Sequence, residues 1–197
     1  GVSPQQVVAV VRPERERVSD AIIDHAPDTV IVGQDEVPGT GRAVEQAISA
    51  LPSDFDGTVV VLSGDVPLID AVTIERLVRG HLEGGRAMTM LSAIFENPTG
   101  LGRILRDSNG AVTGIVEEKD ATDMQRRITE INGGIYVFAR RAIEQALTEI
   151  DTNNAQGEKY LTDAAAHILA SGGAVEAVAT NDPWLIAGVN DRVQLAE

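Results

Sequence analysis

The sequence predicts an α/β protein: a mostly parallel sheet with crossover helices and an antiparallel insertion in its second half. Three observations carry this reading. Short β-branched runs alternate with stretches of helical period as far as Glu83. Thr58-Val-Val-Val-Leu62 is an unbroken apolar run, as in a strand buried on both faces. That run stops at Ser63-Gly64-Asp65, which puts a carboxylate just past the carboxyl end of a strand, where open α/β sheets bind ligands.

In chain order, Gln6–Arg12 reads as a buried strand, Pro13–His25 as a polar helix and Thr29–Val32 as a second strand. Gly39–Leu51 reads as a helix entered through a glycine turn, with Ala43, Val44, Ala47, Ile48 and Leu51 at helical spacing and Thr40 as its N-cap. A strand at Val59–Leu62 and a helix over Ala71–Glu83 follow. After Gly85 the texture changes. Ala87–Phe95, Arg103–Arg106, Val112–Glu117 and Ile131–Phe138 are strand-like and separated by turn residues, and Asp107-Ser-Asn-Gly110 is a hairpin signal. Helices return at Arg140–Glu149 and Tyr160–Ser171, with a last strand at Ala174–Ala179. No linker or internal repeat interrupts residues 1–197, which read as one domain.

Composition narrows the chemistry. A formal net charge of −14 argues against a nucleic-acid footprint, which needs excess Lys and Arg. The absence of cysteine excludes disulfides, thiolate metal sites and a Cys nucleophile. His25, His81 and His167 fit no metal-ligand spacing. No apolar run approaches the roughly 18 residues of a membrane span and no signal peptide opens the chain, so no membrane partner and a cytoplasmic location are expected. A start at Gly rather than Met is expected of a fragment.

Asp65 suits a hard cation that carries a nucleotide's phosphates, and it equally suits a cap on the helix starting near Asp70. Gly64 permits close backbone approach to a ligand. Gln34, at a strand end, could read a base edge with its paired donor and acceptor. Lys119 could contact a phosphate or pair with Asp120.

Six segments stand out in order: Gln34-Asp-Glu-Val-Pro-Gly-Thr-Gly41; Leu62-Ser-Gly-Asp-Val-Pro-Leu68; Gly100-Leu-Gly-Arg-Ile104 with Gly114-Ile-Val-Glu-Glu-Lys-Asp-Ala-Thr122; Glu130-Ile-Asn-Gly-Gly-Ile-Tyr136; Asn153-Asn-Ala-Gln-Gly-Glu-Lys-Tyr-Leu-Thr-Asp163; and Gly188-Val-Asn-Asp-Arg-Val-Gln-Leu195. Together they resemble the nucleotidyltransferase domain of the bacterial bifunctional N-acetylglucosamine-1-phosphate uridyltransferase/glucosamine-1-phosphate acetyltransferases.

The resemblance implies a Rossmann-like nucleotidyltransferase fold. It implies uridylyl transfer from UTP to N-acetylglucosamine 1-phosphate, for cell-wall precursor synthesis, with Mg²⁺ held by Asp65 and Asn190. Nucleotide contacts are implied for Gln34, Gly39, Thr40, Ser63, Gly64 and Asp65. Sugar-phosphate contacts are implied for Gly102, Glu117, Asn132, Tyr160 and Thr162. The chain departs from the family pattern at Val37, Ser63, Leu101 and Gly133, where a Gln, a Tyr, a Tyr and a Thr are common. The family's first strand and glycine-rich triphosphate loop would precede residue 1, and its acetyl-transferring β-helix would follow residue 197. Low activity of this chain alone is therefore expected, while the full-length protein is expected to be a homotrimer. Rival readings are a sugar-1-phosphate nucleotidyltransferase of other specificity, a glycosyltransferase using a nucleotide-sugar donor, and a nucleotide-sugar-binding domain without activity. The first glycosyltransferase hallmark, an Asp-x-Asp pair, is missing at Asp65.

Overall fold

The computed structural model describes residues 3–12, 16–189 and 192. Its elements follow the expected order: β1 (Val8–Val11), α1 (Glu16–His25), β2 (Val30–Gly33), α2 (Thr40–Ser49), β3 (Thr58–Val61), α3 (Ala71–Glu83), β4 (Met88–Ile94), β5 (Arg103–Arg106), β6 (Val112–Val116), β7 (Glu130–Ala139), α4 (Arg140–Glu149), α5 (Ala164–Ala170) and β8 (Val175–Ala179). Three short 3₁₀ turns lie at Gln125–Arg127, Leu161–Asp163 and Pro183–Ile186.

Two boundaries differ from the sequence reading for identifiable reasons. The helix expected over Tyr160–Ser171 opens as a 3₁₀ turn, because Tyr160 is extended and the Leu161 N–H is drawn to the Thr40 hydroxyl at 3.2 Å. Gly39, not Thr40, is the N-cap of α2. Its φ of 115° is a conformation that favours glycine, and no side chain caps the helix. At α3 the cap is Asp70, whose carboxylate accepts from the Thr73 N–H at 2.6 Å. Asp65 is thereby relieved of the capping role.

The main sheet has the order β6-β5-β7-β4-β8, with β3 also paired to β7. β3, β4 and β8 run in one direction; β7 lies antiparallel between β3 and β4. β5 and β6 form the antiparallel insertion, joined to β7 where Arg103 meets Ile131. The strand period of two divides the core between the two sheet faces. Met88, Met90, Tyr136 and Phe138 pack with α2, α4 and α5, whereas Leu91, Ala93, Ile135 and Val137 pack with α3 and Ile186.

The parallel pair β1–β2 stands apart from this sheet. Among the described residues β1 pairs only with β2, and β3 only with β7. Between β1 and β3 lies a cavity of about 1290 Å³, lined by Val8–Val11, Thr58–Leu62 and the Ala43, Val44, Ala47 and Ile48 face of α2.

Candidate active site

The site residues collect where β3, β4 and β8 end and β7 begins. β7 is irregular here: two residues of β4, from Met90 to Ser92, span four of β7, from Tyr136 to Asn132. This bulge, with Gly134 at φ 68°, turns the segment next to Asn132 toward the strand ends.

On the sugar-site side four expected residues are linked directly. Asn132 N–H donates to the Gly102 carbonyl at 2.9 Å. Thr162 Oγ1 donates to Glu117 Oε1 at 2.9 Å. A Cβ on Gly102 would come within 3.3–3.5 Å of the Glu117 carboxylate, so glycine leaves room for it. Asn132 Nδ2 donates to the Tyr136 hydroxyl at 2.6 Å and its Oδ1 accepts from the Gly134 N–H at 3.3 Å, which together fix the amide. Tyr160 is buried, and its hydroxyl has no hydrogen bond of good geometry among the described residues.

Glu117 lies one residue beyond β6 and turns inward instead of facing solvent. Burial pushes its carboxyl above the usual range, and Asp163 and Asp120 add to that. The Thr162 hydroxyl and the Arg103 charge oppose it. A desolvated carboxylate that keeps hydrogen-bonding capacity is well suited to fixing a hydroxyl or amide N–H of a ligand.

On the nucleotide side, Ser63 Oγ donates to the Gly134 carbonyl at 3.1 Å and so joins the end of β3 to the β7 bulge. Gly64 and Asp65 are exposed, and nothing stands within 4 Å of a Cβ placed on Gly64. The Asp65 carboxylate has no partner among the described residues, while its backbone carbonyl accepts from the Val189 N–H at 2.8 Å. Asn190 lies outside the described residues. No group of three or more His, Asp or Glu side chains that could hold a metal is gathered among the described residues. One exposed, unpaired carboxylate does fit a hard cation whose other positions are filled by water and ligand oxygens.

Gln34 is half-buried, and its Nε2 donates to the carbonyls of Val37 and Gly39 at 3.4 and 3.3 Å. The glycines of this loop serve first a contact within the chain. Lys159 N–H donates to Pro38, and Gly41 N–H donates to the Lys159 carbonyl at 2.8 Å. A Cβ on Gly41 would lie 2.9 Å from that carbonyl, and one on Gly39 would overlap the Lys159 backbone. This seam, closed by Thr40 and Leu161, holds the Gln34 loop against the Tyr160–Thr162 segment.

Both lysines are engaged by the protein. Lys159 pairs with Glu45 at 3.0 Å. Lys119 donates to Gln156, while Asp120 accepts from the Ala155 N–H at 2.9 Å. The sequence reading of Lys119 as a partner of Asp120 is corrected here, since each binds a different residue of the 154–156 turn. Gly133 is explained by packing, since a Cβ there would lie 2.8 Å from the Leu91 carbonyl and 3.0 Å from Ile186. Sequence reasoning did not single out Arg103, which is buried beside Gly102; an Arg at the head of the short strand Arg103–Arg106 was the available signal.

Comparison with known proteins shows the family. The nucleotidyl transferase family model matches residues 3–190. The chain is 56% identical over 191 residues to the bifunctional protein GlmU of Clavibacter sepedonicus, covering 97% of this chain and 39% of that protein. It is 54% identical over 192 residues to the GlmU of Leifsonia xyli subsp. xyli, covering 98% and 40%. The chain thus spans about two fifths of the length of these curated relatives. Among solved structures, HddC from Yersinia pseudotuberculosis superposes with a TM-score of 0.61 at 17% identity, over 89% of this chain and 70% of that one, a likeness of fold. No helix among the described residues is long and apolar enough to cross a membrane. With a family model spanning nearly every residue and the relatives' similarity running the length of the chain, the protein belongs to the nucleotidyl transferase family.

Proposed function

We propose that this chain carries the uridylyl-transfer site of a GlmU-type enzyme, joining UTP and N-acetylglucosamine 1-phosphate to give UDP-N-acetylglucosamine and pyrophosphate. The observation that carries this reading is the linked set Gly102, Glu117, Asn132 and Thr162, set beside an unpaired Asp65 at a strand's carboxyl end. One side offers directional acceptors and donors for a sugar. The other offers a free carboxylate and open backbone for phosphates.

In the reaction, an oxygen of the sugar phosphate attacks the α-phosphorus of UTP in line, and the bond from that phosphorus to the pyrophosphate oxygen breaks. No protein nucleophile is required. Glu117, Asn132 and Thr162 orient the sugar phosphate, and Gln34 with the Gly39–Gly41 loop places the base and ribose. Asp65, with Asn190, would hold Mg²⁺, which when bound offsets phosphate charge. The strand and glycine-rich loop implied by the family resemblance would fill the cavity between β1 and β3 and supply the triphosphate's cationic grip. Cytoplasmic location and trimeric assembly of the whole protein belong to the same proposal.

The test is pyrophosphate release from UTP, measured with and without N-acetylglucosamine 1-phosphate and Mg²⁺, in a chain extended N-terminally by that strand and loop. Release that depends on both is expected, and Asp65→Asn should lower it about a hundredfold or more with unchanged circular dichroism. Formation of UDP from UDP-N-acetylglucosamine without pyrophosphate chemistry would overturn the proposal in favour of a glycosyltransferase.

A further inference from the structure

Arg103 has the surroundings of a residue kept for more than packing. It is 1% exposed, yet it opens a strand in which Ile104 is core and Leu105 half-buried. Its guanidinium reaches three separate stretches of chain. One terminal nitrogen donates to the Leu101 carbonyl, immediately before Gly102. The other bonds Glu118 Oε2 at 2.6 Å, immediately after Glu117, and the Arg126 carbonyl at 3.3 Å in the 3₁₀ turn before β7. Its backbone lies in register with Val116 on one side and Ile131 on the other, the neighbours of Glu117 and Asn132. Its Nε–H is buried with no partner.

A buried guanidinium with an unpaired N–H is an expensive way to hold a sheet together. Buried ion pairs are often replaced by apolar residues at no loss of stability. The fork geometry offers what an apolar residue lacks: it fixes Leu101, Glu118 and Arg126 relative to one another. Those three residues flank or precede the segments that bear Gly102, Glu117 and Asn132.

We propose that Arg103 is a positioning residue for the sugar phosphate: its guanidinium, bonded to the Leu101 carbonyl and the Glu118 carboxylate, holds Gly102 and Glu117 in one unit. The inference rests on the functional reading above, since it takes Glu117 as a sugar contact. Other charged and titratable groups around Glu117 are Asp163, Asp120, Tyr136 and Tyr160, with the Thr162 hydroxyl bonded to it. Glu118, the next residue, is ion-paired with Arg103 at 2.6 Å, and Arg103 is the positive charge that acts on Glu117 from that position.

Calorimetric titration with N-acetylglucosamine 1-phosphate, and separately with UTP and Mg²⁺, tests this in the N-terminally extended chain, unaltered and as Arg103→Lys, Arg103→Met and Glu118→Gln. Arg103→Met should weaken sugar-phosphate binding about tenfold or more while leaving UTP binding within about twofold. The ratio of wild-type to Arg103→Met affinity should also widen toward low pH, because loss of the counter-charge lets Glu117 protonate at higher pH. Titration of the ligand's own phosphate cancels in that ratio. Arg103→Lys keeps the charge and loses the fork, so it should show a smaller loss that does not vary with pH. Should Arg103→Met fail to fold, Arg103→Lys and Glu118→Gln decide the matter, and each must weaken the sugar phosphate selectively. Unchanged sugar-phosphate affinity in those two, or an equal loss for both ligands, overturns the role of Arg103. An unaltered extended chain that binds UTP but not N-acetylglucosamine 1-phosphate overturns the functional reading instead, and this inference with it.

Discussion

β1 and the second half of β7 are both apolar strand runs and meet different fates. Val8-Ala-Val-Val11 is half-buried throughout, and β3, of sequence Thr58-Val-Val-Val61, is likewise half-buried. In β7, Ile135-Tyr-Val-Phe138 is buried at every position, and β4 is buried from Met88 to Ala93. Side-chain type does not explain the contrast, because valine runs are at least as strand-forming as the others. Neighbours do. β7 has a strand on each edge and helices packed on both faces, whereas β1 and β3 each border the cavity. The closed region bears the proposed sugar contacts, and the open region borders the proposed nucleotide side.

The widest test of that contrast is to close the cavity. In a chain extended by the family's first strand and loop, turnover should rise by several powers of ten. Each charge-assisted hydrogen bond regained to the triphosphate is worth about 1.5–3 kcal/mol. A higher melting temperature and weaker binding of a hydrophobic dye should accompany it. Equal turnover in the two chains would mean the triphosphate is held elsewhere.

Truncations compare the regions directly. Phe138→Ala, in a fully buried site stacked on Tyr136, should cost about 3–5 kcal/mol by chemical denaturation. Val10→Ala in β1 should cost about 1 kcal/mol or less, since half its surroundings are already open. Near-equal losses would show that the cavity wall is as tightly packed as the core.

Two titrations give the smallest effects. Glu117, raised by burial, binds its proton more tightly in the folded state, so stability falls as pH rises from the unfolded carboxyl range through the folded value. Glu117→Gln should therefore be slightly more stable than wild type at neutral pH and yet bind the sugar phosphate more weakly. His81, buried against Thr89 with its ring nitrogen 3.0 Å from the hydroxyl, behaves in the opposite sense. Burial, then the Arg86 charge, lowers its pKa, so stability should be lost as pH falls below about 6.5. Thermal melts between pH 5 and 8 would detect both, and loss of the acid limb alone in His81→Gln would assign that limb to His81.

Much of this protein was legible in its residues. Period and turn chemistry gave α3, β5 and α4 at their observed limits and every other element within a few residues, because local propensity and tertiary packing agree there. The strand that ends in Ser63-Gly64-Asp65 and the string from Asn153 to Asp163 pointed to the segments from which the proposed site is built.

What only the tertiary structure decided are matters of which segments touch. That Gly39 and Gly41 are glycines because the Lys159 backbone presses on them cannot be read from a loop 118 residues away in sequence from that lysine, by the count from Gly41 to Lys159. The inward turn of Glu117 depends on Thr162, and the half-burial of β1 on its pairing, among the described residues, with β2 alone. Sequence pattern reports the period of an element and the chemistry it carries. Burial and charge state depend on long-range pairing, which the period of a single segment does not encode.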